Sequence, residues 1–259
     1  MENPLKYSLT TRFKDRHILR LLAPAPGERV LDVGCGIGYL LGLAAQSGTR
    51  VFGIDMSPVA LKKARGFLGE RTFSCASAAN LPFRDGYFDK IIFADVIEHV
   101  ADDGMALAEI TRVCRDGASI VVTTPEIEAP FTETRMKTLL HSESDELLKN
   151  IRDGYSLDKL SSLMRSRGIE VQKVVYTNFY LAELMLGLTK VFYYLKNRSY
   201  KTQADLVRTA SSPLFNIYRR LVFPVFLGIG RAEEWLLQGR CKGHCLIIQG
   251  QVCRAKGAA

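Results

Sequence analysis

The sequence predicts an α/β fold, a mostly parallel sheet with helices on both faces, and three observations predict it. Short apolar runs alternate with helical patterns from residue 29 to residue 125, at a spacing that implies right-handed βαβ crossovers. The first run, "VLDVGCGIGYL" at 30–40, ends in glycines at three alternate positions, a turn where a ligand can lie against bare backbone. A chain of 259 residues with 47% hydrophobic content can bury a good core in one elaborated domain.

Each element follows from its own residues. RVLDV (29–33) reads as a buried strand and IGYLLGLAAQSG (37–48) as a helix closing at Gly48. RVFGID (50–55) is the second strand, and SPVALKKARGFL (57–68) is a helix with Ser57 as N-cap and Pro58 at its first position. RTFSCA (71–76) and DKIIFAD (89–95) are the third and fourth strands. ADDGMALAEITRVC (101–114) is a helix with acidic residues in its first turn, and GASIVVTTP (117–125) is a strand stopped by Pro125. Residues 126–154 are polar and charged, which suits a lid or crossover. Then SLDKLSSLMRSRG (156–168) is an amphipathic helix capped by Ser156, IEVQKVVYTN (169–178) is a strand, and HCLIIQGQV (244–252) is the last strand.

Six scattered cysteines without a CxxC pair predict reduced, mostly buried thiols, and Cys241, His244 and Cys245 make a poor zinc set. The opening residues are charged and lack the apolar core of a signal peptide. The expected location is therefore cytoplasmic, with the inner face of the membrane as a peripheral option. The net charge of +8 is unevenly spread, since residues 151–259 hold 17 Lys+Arg against 7 Asp+Glu.

The glycines discriminate between cofactors. A dinucleotide fingerprint needs a glycine three positions after the second, and Tyr39 stands there; no GK[ST] follows for a P-loop. Asp32, just before Gly34, would repel a pyrophosphate and attract an ammonium group. A nucleoside-like cofactor with a cationic amino-acid tail and no phosphate is wanted, and S-adenosylmethionine fits.

VLDVGCGIG, then GIDMS, then LPFRDGYFDKIIFADVIEHV, resembles the class I S-adenosylmethionine-dependent methyltransferases, in particular the ubiquinone and menaquinone methyltransferase-like group. The resemblance implies a Rossmann-like, seven-stranded, mostly parallel sheet with a helical insertion before the last strand. It places Asp32, Gly34, Cys35 and Gly36 around the methionine moiety, Asp55 on the ribose hydroxyls and Met56 on a face of adenine. Ser77 and Ala78 would meet the adenine edge, where the family pattern carries Asp in place of Ser77, and Asp95 completes the cofactor set. A turn or helix-entry role is the alternative for Asp55.

His99, at the end of the fourth strand, is the candidate general base; the alternative is that Glu98 and His99 order the loop and cap the next helix. The resemblance raises one metal option, Asp95, Glu98 and His99, with Asp shortening the reach; otherwise no metal is expected. His141 and Arg152 are either acceptor contacts or solvated surface, and Tyr155 is read as pointing toward the site.

The chain divides into an N-terminal helical lid (1–28), a cofactor-binding core (29–177 and 243–253) and a helical insertion (178–242). FYLAELMLGLTKVFYYLKNRSYK and SSPLFNIYRRLVFPVFLGIGRAEEWLLQGRCK, within that insertion, are rich in Leu, Phe and Tyr but interrupted by charge, so neither spans a bilayer. Pro213 suits a helix start, and Pro224 should kink or divide the second segment. The insertion is read as a cap on the acceptor, a homodimer element or a membrane-surface element. Nucleic acid is disfavoured, because the basic residues alternate with bulky aliphatics. The predicted activity is methyl transfer to a small hydrophobic or lipid-linked molecule. A soluble natural-product or sugar-type acceptor, or a non-catalytic cofactor-binding subunit, is the alternative.

Overall fold

Residues Arg29–Val33 form the central strand β1, and four of its five residues are buried. The computed structural model describes residues 8–69, 72–129, 151–185 and 218–254. His141, Pro213 and most of the 126–154 and 178–217 segments lie outside these. Among the described residues the elements are α1 (Leu9–Leu22), β1, α2 (Tyr39–Ala45), β2 (Arg50–Asp55), α3 (Pro58–Leu68), β3 (Thr72–Cys75), β4 (Phe88–Ala94), α4 (Asp103–Val113), β5 (Cys114–Pro125), α5 (Leu157–Ser166), β6 (Ile169–Thr177), α6 (Phe223–Leu237) and β7 (Cys245–Val252).

The seven strands form one sheet in the order β3-β2-β1-β4-β5-β7-β6. The β1–β2, β2–β3, β1–β4 and β4–β5 pairs are parallel. The chain moves outward from β1 to β3 and returns to β4 on the other side of β1. A topological switch point therefore lies between β1 and β4, and ligands of such sheets bind there beyond the carboxyl ends of the strands. The last strand, β7, lies between β5 and β6.

The helix starts follow the sequence chemistry. Ser57 Oγ accepts from the Ala60 N–H, Asp102 from Met105 and Ser156 from Lys159, capping α3, α4 and α5. The second helix starts two residues later than its apolar pattern suggests, because Gly38 is left-handed at φ 77°. Cys114, read as helical, instead opens β5 directly. The β4–β5 register shifts between Phe88 and Lys90, where β5 carries the extra residues 115–117. All six cysteines are free thiols, but only Cys35, Cys114 and Cys245 are buried; Cys75 and Cys253 are exposed.

Two compact units emerge, one of Met1–Arg16, Glu126–Lys149 and Val175–Cys245, the other of His17–Pro125, Asn150–Val174 and Leu246–Ala259. In the first, Leu9, Phe13, Ala182 and Phe223 form a core. Gly230 of α6 permits close packing there, since a Cβ would come within 2.6 Å of the Phe13 ring. Buried Glu234 accepts from Arg16 and Thr177, and Glu233 accepts from the Leu181 N–H at 3.0 Å. A turn of π-helix at Tyr218–Val222 runs directly into α6, whose first turn holds Pro224, so the segment is not divided there.

Candidate functional site

The carboxyl ends of β1, β2, β3 and β4 carry the residues singled out from sequence. Gly34 and Cys35 both donate their N–H to the Ile54 carbonyl at 2.8 Å, and the Gly36 N–H donates to Asp55 Oδ2 at 2.8 Å. The glycine turn is thereby lashed to the end of β2. Gly34 is left-handed at φ 80°, and a Cβ on it would lie 2.3 Å from Val96 Cγ2. Beside Gly36, at φ 52°, a Cβ would meet nothing within 4 Å, so bare backbone faces open space. That is the cradle a ligand against the backbone requires.

Two carboxylates set the electrostatics of this turn. Asp32 is only 3% exposed. Burial pushes the Cys35 thiol far above its usual range, and the charges of Asp32 and Asp55 push it the same way. The thiol stays protonated, and the surroundings favour a cation over a phosphate. Gly53 makes room for this thiol, for a Cβ there would sit 2.8 Å from Cys35 Sγ; the sequence reading missed this pairing across β1 and β2.

Asp55 makes the turn contacts of the alternative read for it. Its Oδ1 accepts from the Ser57 N–H at 2.8 Å, a turn contact, while Oδ2 holds Gly36. Each carboxylate oxygen retains a lone pair for a further donor. Next to it Met56 is 74% exposed, and the Asp55↔Cys75 pairing brings the residues after β3 alongside. Ser77 Oγ accepts from the Ala79 N–H at 3.2 Å, and Ala78 is buried.

The loop that follows, 81–85, is fixed by α4. Glu109 accepts from the Leu81 N–H at 2.8 Å, and Arg112 donates to Glu109, to Asp85 and to the Leu81 and Phe83 carbonyls. The hydrogen bond from Arg112 holds the Glu109 carboxyl below its ordinary 4.5, against the opposing effect of burial. A depressed folded pKa gives stability that is present above the unfolded value and lost as pH falls through the folded one. The melting temperature of the wild type is thus expected to fall below about pH 4.5, and Glu109→Gln to flatten that slope in a pH series of thermal melts.

After β4, Asp95 is a left-handed non-glycine residue at φ 53°. Its N–H donates to Thr123, and the Thr123 hydroxyl donates back to Asp95 Oδ1 at 2.6 Å. Glu98, 2% exposed, accepts from the Thr124 hydroxyl at 3.3 Å. These anchors account for the two threonines before Pro125, which the sequence reading left without a role. Among the described residues no group of three or more His, Cys, Asp or Glu side chains could hold a metal ion. Asp95, Glu98 and His99 do not form such a group in this structure, where the first two carboxylates accept from Thr123 and Thr124. His99 Nδ1 is buried with no hydrogen-bond partner.

Two expectations are corrected here. Arg152 is not a solvated residue: it donates to the carbonyls of Val100 at 2.6 Å and Ala101 at 2.8 Å and pairs with Asp103 at 3.5 Å. Tyr155 does not point to an open site. It is fully buried, and its hydroxyl donates to Asp103 Oδ2 at 2.6 Å. Gly154, at φ 137°, lets the chain reach this position, since a Cβ would meet the Pro125 carbonyl at 2.2 Å. Together with Ile151 and Arg152 N–H groups on the Glu98 carbonyl, these contacts staple the 151–155 strip to the 98–103 loop. Tyr155→Phe is expected to cost about 1–2 kcal/mol, read as a Tm drop of roughly 2–6 °C.

Comparison with known proteins bears on the domain and the fold. Residues 31–122 match the family model described as a methyltransferase domain. The chain is 33% identical over 144 residues to norajmaline N-methyltransferase of Rauvolfia serpentina, covering 52% of this chain and 48% of that protein. It is 35% identical over 107 residues to the chloroplastic tocopherol O-methyltransferase of Arabidopsis thaliana, covering 38% and 30%. The chain thus spans about half or less of the length of these relatives. Among solved structures, phosphoethanolamine N-methyltransferase 2 of Haemonchus contortus in complex with S-adenosyl-L-methionine shares the fold. Its TM-score is 0.59 at 15% identity, over 93% of this chain and 52% of that one. The domain at 31–122 is thus a class I S-adenosylmethionine-dependent methyltransferase domain, a kind whose cofactor is S-adenosylmethionine.

Proposed function

We propose that the chain transfers a methyl group to a small hydrophobic or lipid-linked acceptor. The observation that carries the reading is the glycine turn with bare backbone at Gly36, bounded by the carboxylates of Asp32 and Asp55. When bound, the cofactor supplies an electrophilic methyl group on a cationic sulfur. In this reading Asp32 and the Gly34–Gly36 backbone, with Cys35 between, hold its amino-acid end. Asp55 accepts from the ribose, Met56 covers the adenine face, Ser77 and Ala78 meet its edge, and Asp95 closes the cofactor side. Two of the relatives above act on norajmaline and on tocopherol, which favours an apolar acceptor here. The segments 1–28 and 178–242 are assigned to acceptor choice and location. No helix among the described residues is long and apolar enough to cross a membrane, so a lipid-linked acceptor would be met at the bilayer face, the inner face by the sequence reading.

His99 is assigned the base, since the lone pair of a neutral imidazole nitrogen can take the acceptor's O–H or N–H proton as the methyl arrives. His99→Ala is expected to lower kcat by about 10²–10⁴-fold on a hydroxyl acceptor while leaving cofactor affinity unchanged. An unchanged kcat assigns His99 to loop order instead.

The experiment that tests the whole reading uses methyl-labelled S-adenosylmethionine with the pure protein and a host extract, fractionated into lipid, aqueous, protein and nucleic-acid pools. Label in the lipid pool is the expected result. Label in the aqueous pool replaces it with a soluble acceptor. Cofactor binding without label in any pool favours the accessory-subunit alternative, which the neutral Ser77 in place of an acid first suggested.

A further inference from the structure

Helix α6 is apolar on two opposite faces. One face is spoken for: Phe223, Gly230 and Glu234 are buried, with Phe223 and Gly230 against the cluster of Leu9, Phe13 and Ala182. At about 3.6 residues per turn, the other face presents Val225, Ile229, Ala232, Trp235 and Leu236. Leu221 continues the stripe back into the preceding π turn. All six are exposed, Trp235 by 80% and Leu221 by 68%. A helix apolar all round belongs in a core or in lipid, and this one has a core on one side only.

The charges select the occupant. Arg220, Arg231 and Arg240 are exposed around the stripe, while the carboxylates of the segment are turned away, Glu234 into the core and Glu233 onto the Leu181 N–H. No acidic residue is exposed between positions 218 and 240. An isologous pairing of two copies through this face would set arginines near arginines with no carboxylate to offset them. An anionic bilayer meets every feature at once: apolar side chains enter the acyl boundary, arginines meet phosphate, and a tryptophan favours the interface.

We propose that the exposed face of α6, with its flanking arginines, docks the chain on an anionic membrane surface. The choice of acceptor does not enter this inference, so vesicle binding reads the docking and cofactor affinity reads the methyltransferase site separately.

Trp235 is the chain's single tryptophan, so its fluorescence reports this face and no other. With the full chain at low salt, vesicles of equimolar phosphatidylcholine and phosphatidylglycerol are expected to sediment the protein and shift its emission to the blue. Pure phosphatidylcholine vesicles are expected to do neither. Raising the salt weakens the binding. The double variant Arg220→Gln, Arg231→Gln should lose roughly 25-fold in vesicle affinity, at about fivefold per arginine, and Ile229→Asp should abolish the blue shift. Both variants keep wild-type S-adenosylmethionine affinity, which shows that they fold. If the wild type stays in the supernatant with unshifted emission while binding the cofactor, the inference is overturned. It is overturned equally if the protein is a dimer at micromolar concentration that Ile229→Asp converts to monomer, since the face then joins two copies.

Discussion

Asp55→Ala is expected to weaken S-adenosylmethionine binding by on the order of 10²–10⁴-fold, measured by titration calorimetry. The carboxylate does two jobs in the folded chain. It accepts from the Gly36 and Ser57 N–H groups, each at 2.8 Å, which fixes the glycine turn against the end of β2. In the proposed complex it also accepts from the ribose. Hydrogen bonds to a charged group contribute about 1.5–3 kcal/mol each, so losing the ribose contact together with the ordering of the turn gives an effect of that size. Asp55→Asn keeps one acceptor oxygen and is expected to fall between, near tenfold. Ser57→Ala separates stability from binding. It removes the α3 cap, where Ser57 Oγ accepts from the Ala60 N–H at 3.2 Å, at a cost of about 1 kcal/mol, and should leave the affinity unchanged. Wild-type affinity in Asp55→Ala would remove Asp55 from the cofactor site.

Local chemistry makes much of this architecture legible in the sequence. β1 and β2 end where their apolar runs end, at Val33 and Asp55, and the caps Ser57 and Ser156 sit where side-chain acceptors precede helical periods. Gly34, Gly36 and Gly38 announced a turn that only φ values of 80°, 52° and 77° explain. What stayed hidden depends on partners distant in sequence. Tyr155 looks like an amphipathic side chain at a helix start, and nothing local says that Asp103 will wait for its hydroxyl. Arg152 is one charge in a polar stretch until the 98–103 loop offers it two carbonyls. Asp95 reads as a strand-end acid, and nothing local says that Thr123 of the neighbouring β5 will donate to its Oδ1. The extension of β5 back to Cys114 was invisible for a related reason. Helical periodicity runs on through Cys114, and only the register shift at Phe88 and Lys90 shows that the chain has already turned into the sheet.

Gly34→Ala is expected to be a severely damaging single-methyl change at the glycine turn, and a double-variant cycle shows why. Two penalties fall on the added Cβ. The backbone at φ 80° lies in the left-handed region, which costs a non-glycine residue roughly 1–2 kcal/mol. The methyl group would also sit 2.3 Å from Val96 Cγ2 and 3.2 Å from Cγ1, far inside van der Waals contact. Val96 follows Asp95, whose own left-handed backbone is held by two hydrogen bonds to Thr123, so the valine has little freedom to withdraw. Relief must come from opening the β1–β4 crevice, where the cofactor is assigned. The expected result is loss of detectable cofactor binding with a Tm drop of roughly 6 °C or more, from about 3 kcal/mol of combined strain and overpacking. Val96→Ala removes the clashing methyl groups but leaves the backbone penalty in place. The pair Gly34→Ala, Val96→Ala should therefore recover more than half of the lost stability and regain measurable cofactor affinity, without reaching wild type. If the second substitution restores nothing, the glycine is needed for its φ alone. If Gly34→Ala binds cofactor normally, the turn is not the cradle that the proposed function requires.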